Sequence, residues 1–170
     1  RIELFSKVLW DVLPENIDSV LVAGLGNENI TADALGPKVN DYVLSTRHIL
    51  SNLENNSGFD ELFSVATITT GVLGETGIET CEIVKGIVDQ IKPSCVIVVD
   101  ALAASSTDRL GTTVQFSNTG ISPGSGVGNH RYEISQKTLG IPVVSIGIPT
   151  VVSTAVISGR DGDSAFVTPR

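Results

Sequence analysis

The sequence predicts an α/β fold, a three-layer α/β/α sandwich with a mostly parallel central sheet. Short apolar runs alternate with amphipathic segments along the 170 residues, an order that is typical of successive βαβ units. Hydrophobic residues make up 41% of the chain and charged residues only 18%, a balance that favours a sheet covered on both faces. The length suits one domain with a sizeable core.

The individual elements are predicted from local periodicity and from the residues that end each segment. Apolar residues at helical spacing predict helices over 2–13, 34–50, 79–92 and 132–139. Pro14 and Pro93 end two of these helices, Gly140 caps the last, and Pro37 lies in a first turn, where its missing N–H costs nothing. Apolar runs predict strands over 20–23, 63–69, 94–99, 112–116 and 142–148, and a further element that starts within 151–157. The third strand is expected at the centre, and polar or glycine-rich segments predict loops over 51–60, 70–77 and 118–129.

Charge and composition disfavour two classes of partner. The net charge is −8 and the isoelectric point is about 4.6, which disfavours direct nucleic-acid binding because phosphate contacts need clustered Lys and Arg. We identify no signal peptide and no apolar segment of membrane length, so we expect a cytoplasmic protein without a membrane partner. The chain starts at Arg1 and contains no Met. We therefore expect an incomplete chain that forms a single domain over 1–158. The composition changes abruptly at Gly159, which predicts a separate tail segment over 159–170.

Two aspartates are the strongest candidates for chemistry. Asp33 follows the first predicted strand and its glycine turn, and Asp100 directly follows the third strand. Each alone has a structural explanation, as a first-turn carboxylate or an N-cap. Together they are expected to meet, because the carboxyl ends of neighbouring parallel strands face one crevice. Two close carboxylates can divide the acid and base roles of a hydrolase, and the sequence leaves open which takes which role.

The glycine-rich segments favour a substrate cleft over two better-known motifs. The Gly24-Leu25-Gly26 turn lacks the third glycine of a dinucleotide fingerprint, since position 29 is Asn. Ser125 lacks the spacing of a nucleophile elbow. The loops over 70–77 and 118–129 are instead expected to shape the cleft, around Gly71, Gly74, Gly124 and Gly126.

No cofactor is expected, and the metal-site hypothesis is a weaker alternative. Cys81 and Cys95 have no Cys or His neighbours at ligand spacing. His130 could still join Asp33 and Asp100 in a site of two carboxylates and one imidazole, a set that suits several divalent metals.

Several long stretches of the chain resemble one known family. They are GLGNENITADALGPKV (24–39), TRHIL (46–50), GVLGETGIET (71–80), KPSCVIVVDALAASS (92–106), SNTGISPGSGVGNHR (117–131) and TLGIPVVSIGIPTVV (138–152). Taken in order over about residues 20–157, they resemble the germination protease, or spore protease, of endospore-forming bacteria.

The resemblance implies a function and a site. It implies an endopeptidase that cleaves small acid-soluble spore proteins during germination, in the cytoplasm of the spore core. It also implies synthesis as a zymogen and assembly into a homotetramer. An aspartate pair has been put forward as the active site of this family, and it falls on Asp33, in TADALGP, and on Asp100, in VVDALA.

Two alternative functions stay open. The fold is also similar to that of hydrogenase maturation proteases, which recognise a metal in their substrate with acidic and His side chains. A non-enzymatic sporulation protein of the same fold is the second alternative. The chain departs from the germination protease pattern at Ser153, where the pattern has Asp, at Glu75, where it is apolar, and at His130, where it has a different basic residue.

Overall fold

A computed structural model describes residues 2–52, 62–124, 132–153, 156 and 166–167. Its strands are β1 (Ser19–Gly24), β2 (Ser64–Thr69), β3 (Cys95–Ala104), β4 (Gln115–Ser117), β5 (Val143–Ser153) and β6 (Phe166–Val167). Its helices are α1 (Ile2–Val12), α2 (Leu35–Asn40), α3 (Arg47–Asn52), α4 (Leu73–Thr76), α5 (Thr80–Ile91) and α6 (Gln136–Leu139). Short 3₁₀ turns lie at Thr31–Asp33 and Thr107–Arg109.

The strands form one sheet in the order β2-β1-β3-β5-β4, with β6 beside β5. β1, β2, β3 and β5 are parallel, whereas β4 and β6 run antiparallel to β5. The prediction of a mostly parallel sheet with the third strand at its centre is therefore confirmed. As a consequence, the carboxyl ends of β1, β3 and β5 lie at the same edge of the sheet.

Helices cover both faces of the sheet, which confirms the three-layer architecture. Successive side chains of a strand point to opposite faces. On one face of β1, Leu21 belongs to a buried cluster with Val84 of α5. On the other face, Val22 belongs to a cluster that includes Leu9 of α1 and Val39 of α2. Burial on both faces explains why β1 and the first half of β3 are almost entirely apolar.

The single helix predicted over 34–50 is wrong, because the chain forms two short helices, α2 and α3, with an irregular segment between them. Asn40, the last residue of α2, donates from Nδ2 to the carbonyl of Ile68 in β2 at 2.7 Å. Thr46 then pairs with Val65, donating its N–H to the carbonyl oxygen at 3.0 Å and accepting the Val65 N–H on Oγ1 at 2.9 Å. In a continuous helix the Thr46 N–H would donate within the helix and could not pair with Val65 of β2.

The third and fifth strands extend further than predicted. β3 continues past residue 99 to Ala104, and β5 continues past residue 148 to Ser153. They pair in parallel from Val96 opposite Val143 to Ala104 opposite Val152, with one irregularity after Leu102. The prediction that a further element starts within 151–157 is therefore wrong for residues 151–153, because they form the end of β5.

Smaller differences concern element ends and loops. The helix predicted over 132–139 is reduced to α6, because Ile134 pairs with Ile121 in an isolated bridge. Gly140 has a φ of 80° and caps α6, as predicted. The loop over 70–77 contains α4, and the fourth strand is displaced from 112–116 to Gln115–Ser117.

Two further expectations concern membrane spans and segments that the structure describes only in part. None of the helices that the structure describes combines the length and apolar character that a membrane span requires. Most of the loop over 51–60 and the domain boundary after residue 158 lie outside the described residues. Within the tail segment, Phe166 and Val167 pair with Ser153 and Val152 of β5.

Candidate active site

A cavity of about 450 Å³ opens at the carboxyl edge of β1 and β3. Both predicted aspartates, Asp33 and Asp100, line it. Of the four predicted loop glycines, Gly71 and Gly124 line the cavity, whereas Gly74 lies in the exposed α4 and does not. Gly126 and His130 lie outside the described residues. Other lining residues include Leu25, Gly26, Ile30, Val72, Thr80, Leu102, Gln115, Ile121, Ser122, Pro123 and Val151.

Asp100 lies within β3, so the prediction that it directly follows the third strand is wrong. The position follows from the unequal lengths of the neighbouring strands. β1 ends at Gly24, opposite Val99, and the N–H of Leu25 donates to the Val99 carbonyl oxygen at 2.8 Å. On the other side β5 continues, with Gly147 opposite Asp100. Asp100 is thus the first residue of β3 beyond the end of β1, which leaves room for a cavity beside it.

The carboxyl group of Asp100 is buried and retains a proton unusually well. The residue is 5% exposed. Burial and, to a lesser extent, the negative charge of Asp33 raise the pKa of Asp100 to about 7, against a partial offset from the Ala101 N–H. That N–H donates to Oδ1 at 2.9 Å. At neutral pH, Asp100 therefore exists in both its protonated and its ionised form.

Asp33 lies in a different setting, at the end of a 3₁₀ turn, and is half-buried. Its Oδ2 accepts the backbone N–H of Asn27 at 2.8 Å, a bond that the ionised carboxylate accepts best. Gly26 adopts a φ of 110°, and a Cβ atom there would overlap the carbonyl oxygen of Asp33, so only glycine fits. The hydroxyl of Thr150 donates to the carbonyl of Ala32 at 2.6 Å and holds the turn against β5.

Asn27 contacts Asp33, and Glu75 contacts Asn27 in turn; neither is among the functional candidates that the sequence predicts. Asn27 is 8% exposed. Its Nδ2 donates to Oε1 of Glu75 at 2.6 Å, and its Oδ1 accepts the N–H of Asn29 at 2.8 Å. The sequence signal was the asparagine in a turn directly after a strand. Nothing in the sequence pairs it with a glutamate 48 residues away.

The described residues contain no cluster of three or more His, Cys, Asp and Glu side chains that could hold a metal ion. The proposed set of Asp33, Asp100 and His130 is not tested by this, because His130 is not among them. Burial raises the pKa of the Cys95 thiol to about 11 and is the main cause of a raised pKa at Cys81. Neither thiol is therefore activated as a nucleophile.

The model of the germination protease family matches residues 2–164. The chain belongs to the germination protease family. It is 52% identical over 161 residues to the germination protease of Caldanaerobacter subterraneus subsp. tengcongensis, covering 92% of this chain and 49% of that protein. It is 49% identical over 166 residues to the germination protease of Clostridium acetobutylicum, covering 92% of this chain and 50% of that protein. The chain thus spans about half the length of these curated relatives.

A solved structure confirms the fold. The NiFe hydrogenase maturation protease HycI from Thermococcus kodakarensis KOD1 superimposes with a TM-score of 0.54, covering 84% of this chain and 80% of that one. The sequences are 19% identical, so the likeness concerns the fold alone. The predicted similarity to the architecture of hydrogenase maturation proteases is therefore confirmed, and the predicted family is the one that the sequence matches.

Proposed function

We propose that this chain carries the active site of an endopeptidase that acts in spore germination. The observation that carries the proposal is the pair of carboxylates, Asp33 and Asp100, that line one cavity in unequal environments. One is half-buried and accepts a backbone N–H, and the other is almost fully buried with a raised pKa. Such a difference separates the base from the acid of a hydrolase.

The two carboxyl groups can account for peptide hydrolysis with balanced proton transfers. Asp33, ionised, takes a proton from a water molecule whose oxygen attacks the carbonyl carbon of the scissile peptide bond. Asp100, protonated, gives its proton to the amide nitrogen as the carbon–nitrogen bond breaks. The products are a carboxylic acid and an amine. Transfer of the proton gained by Asp33 back to Asp100, directly or through water, restores the starting state.

The wall of the cavity supports a peptide substrate. Apolar side chains such as Ile30, Val72 and Ile121 form much of it, and Gln115 and Ser122 add polar groups. A few polar groups on an apolar wall are typical of sites that bind and orient organic ligands. The glycines at 71 and 124 allow a peptide backbone to approach closely.

Membership of the germination protease family supports a proposal for the substrate and the cellular setting. We propose that the substrates are small acid-soluble spore proteins and that the enzyme works in the cytoplasm of the spore core. We also propose that it is made as a zymogen, forms a homo-oligomer, and folds its peptidase domain over 1–158 with a distinct tail over 159–170.

A cleavage assay tests the proposal. The chain is incubated with a recombinant small acid-soluble spore protein, and fragments are identified by gel and mass spectrometry. A chimera, in which this chain replaces the matching segment of the Clostridium acetobutylicum relative, is assayed in parallel. Variants are Asp33→Asn and Asp100→Asn, and the exposed Asp41→Asn is the matched control.

The outcomes separate the candidate functions. Discrete fragments from the unmodified protein and from Asp41→Asn, but none from Asp33→Asn or Asp100→Asn, support the aspartate pair. Retained cleavage in both site variants would reject it. Fragments that disappear with a chelator would favour a metal site with His130. Binding of the spore protein without cleavage, by chain and chimera alike, would favour a non-enzymatic sporulation protein.

A further inference from the structure

Glu75 lies outside the cavity wall but is joined to Asp33 through one intermediate residue. Its Oε1 accepts the Nδ2 of Asn27 at 2.6 Å, and the backbone N–H of Asn27 donates to Oδ2 of Asp33 at 2.8 Å. We propose that Glu75 is a positioning residue, which fixes the carboxylate of Asp33 by holding Asn27. This inference rests on the proposed function only where it concerns the rate of cleavage.

Asn27 can transmit an effect because its side chain is buried and held at both ends. The residue is 8% exposed, so its amide group has little access to water. Oδ1 accepts the Asn29 N–H, and Nδ2 donates to Glu75. Removal of the Glu75 acceptor leaves a buried donor without this partner, a situation that favours rearrangement of the segment. A rearrangement that moves the backbone of Asn27 also displaces the N–H that Asp33 accepts.

The surrounding backbone limits how Asn27 can respond. Gly26 forms an isolated bridge with Gly71 and lies in contact with the backbone of Asp33. The turn after β1 is therefore fixed on one side by the segment that leads into α4 and on the other by Asp33. The side chain of Glu75 adds a second link between α4 and this turn, through its hydrogen bond with Asn27. Of these connections, only the Glu75 bond can be removed by changing an exposed side chain.

Three variants separate the hydrogen bond from the charge. Glu75→Ala removes both the acceptor and the charge. Glu75→Gln removes the charge but keeps an oxygen that can accept from Asn27. Glu28→Ala removes a charge from an exposed residue of the same turn, for which the structure shows no side-chain bond within the described residues. If Glu75→Ala fails to fold, Glu75→Met, which has a similar length and no carboxylate, takes its place.

The primary measurement is the amide signal of Asn27 in ¹H–¹⁵N NMR spectra, which needs no catalytic activity. An N–H that donates to a carboxylate is shifted downfield, so this signal reports the bond to Asp33. We expect the downfield shift to be lost in Glu75→Ala and kept in Glu75→Gln and Glu28→Ala. In the cleavage assay, we expect kcat to fall about tenfold in Glu75→Ala, whereas its KM should stay within about twofold of the value for the unmodified protein. For Glu75→Gln and Glu28→Ala, both kcat and KM should stay within about twofold of those values.

The two readouts distinguish failure of this inference from failure of the proposed function. An Asn27 signal that is unchanged in Glu75→Ala would overturn the positioning role, whatever the activity. Equal loss of the downfield shift in Glu75→Gln and Glu75→Ala would show that the charge of Glu75 matters and its hydrogen bond does not. That result would also overturn the positioning role. If the unmodified protein cleaves nothing, the proposed function fails while the NMR result still decides the role of Glu75.

Discussion

Replacement of Asp100 by Asn should make the protein less sensitive to alkaline pH. In the unfolded chain an aspartate releases its proton near pH 3.8, whereas burial in the folded protein raises the pKa of Asp100 to about 7. Between these values the folded state binds more protons than the unfolded state. Stability therefore falls as the pH rises through this window, and the loss is complete only above the folded pKa.

The size of the effect follows from the difference in pKa. A shift of about 3 units corresponds to about 4 kcal/mol at about 1.4 kcal/mol per unit. At pH 5 somewhat less than half of this cost is already present, so between pH 5 and pH 8 the unmodified chain should lose about 2 to 3 kcal/mol on account of Asp100. The amide side chain of the Asp100→Asn variant does not titrate, and its Oδ1 can still accept the Ala101 N–H that Asp100 accepts.

Urea unfolding followed by circular dichroism measures this difference directly. The free energy of unfolding is determined at pH 5 and pH 8 for the unmodified chain, for Asp100→Asn and for the exposed control Asp41→Asn. The stability advantage of Asp100→Asn should increase by about 2 to 3 kcal/mol from pH 5 to pH 8, and that of Asp41→Asn should not change. An advantage that stays constant within about 0.5 kcal/mol would refute the reasoning that burial holds a proton on Asp100.

Three further predictions concern the same site. Gly26→Ala should cost at least about 2 kcal/mol in urea unfolding, because of its positive φ and its overlap with Asp33. In Gly74→Ala the added Cβ meets no neighbour within 4 Å, so the free energy of unfolding should increase by about 0.5 kcal/mol. Equal effects of Gly26→Ala and Gly74→Ala on stability would contradict this reasoning. Thr150→Val should cost about 1 kcal/mol by removing the bond to the residue before Asp33; unchanged stability would count against it. The cleavage rate should fall above about pH 7 as Asp100 loses its proton, and kcat/KM still rising at about pH 9 would exclude Asp100 as the acid.

The sequence was sufficient to predict the layers of the fold and the meeting of the two aspartates. Both follow from short-range patterns together with one general rule of topology. An apolar run that ends in a glycine turn gives β1, and a second run gives β3. Because β1 and β3 are parallel neighbours, residues that come after the apolar runs of these two strands lie at the same edge of the sheet. The rule does not require knowledge of where each strand ends.

The ends of the strands could not be predicted, because they depend on the partner strand. The run Cys95–Val99 has a charged residue after it, which locally resembles the end of a strand. β3 nevertheless continues to Ala104, since β5 remains beside it as far as Ser153. Similarly, Thr46 leaves the helical pattern because its backbone and hydroxyl satisfy the edge of β2. In both cases a tertiary hydrogen-bond partner overrides the local preference.

The different ends of β1 and β3 also explain how two identical side chains acquire different chemistry. Asp100 remains in a strand with β5 beside it, so its carboxyl group is buried and its pKa is raised. Asp33 follows a strand that has already ended, and its turn presents the carboxylate to the N–H of Asn27. The early end of β1 thus leaves room for the cavity beside Asp100 and lets the following turn supply the N–H of Asn27 to Asp33. The proposed division into acid and base therefore depends on the backbone around the aspartates, and we expect substitutions that alter β1 or its turn to affect it without touching either carboxyl group.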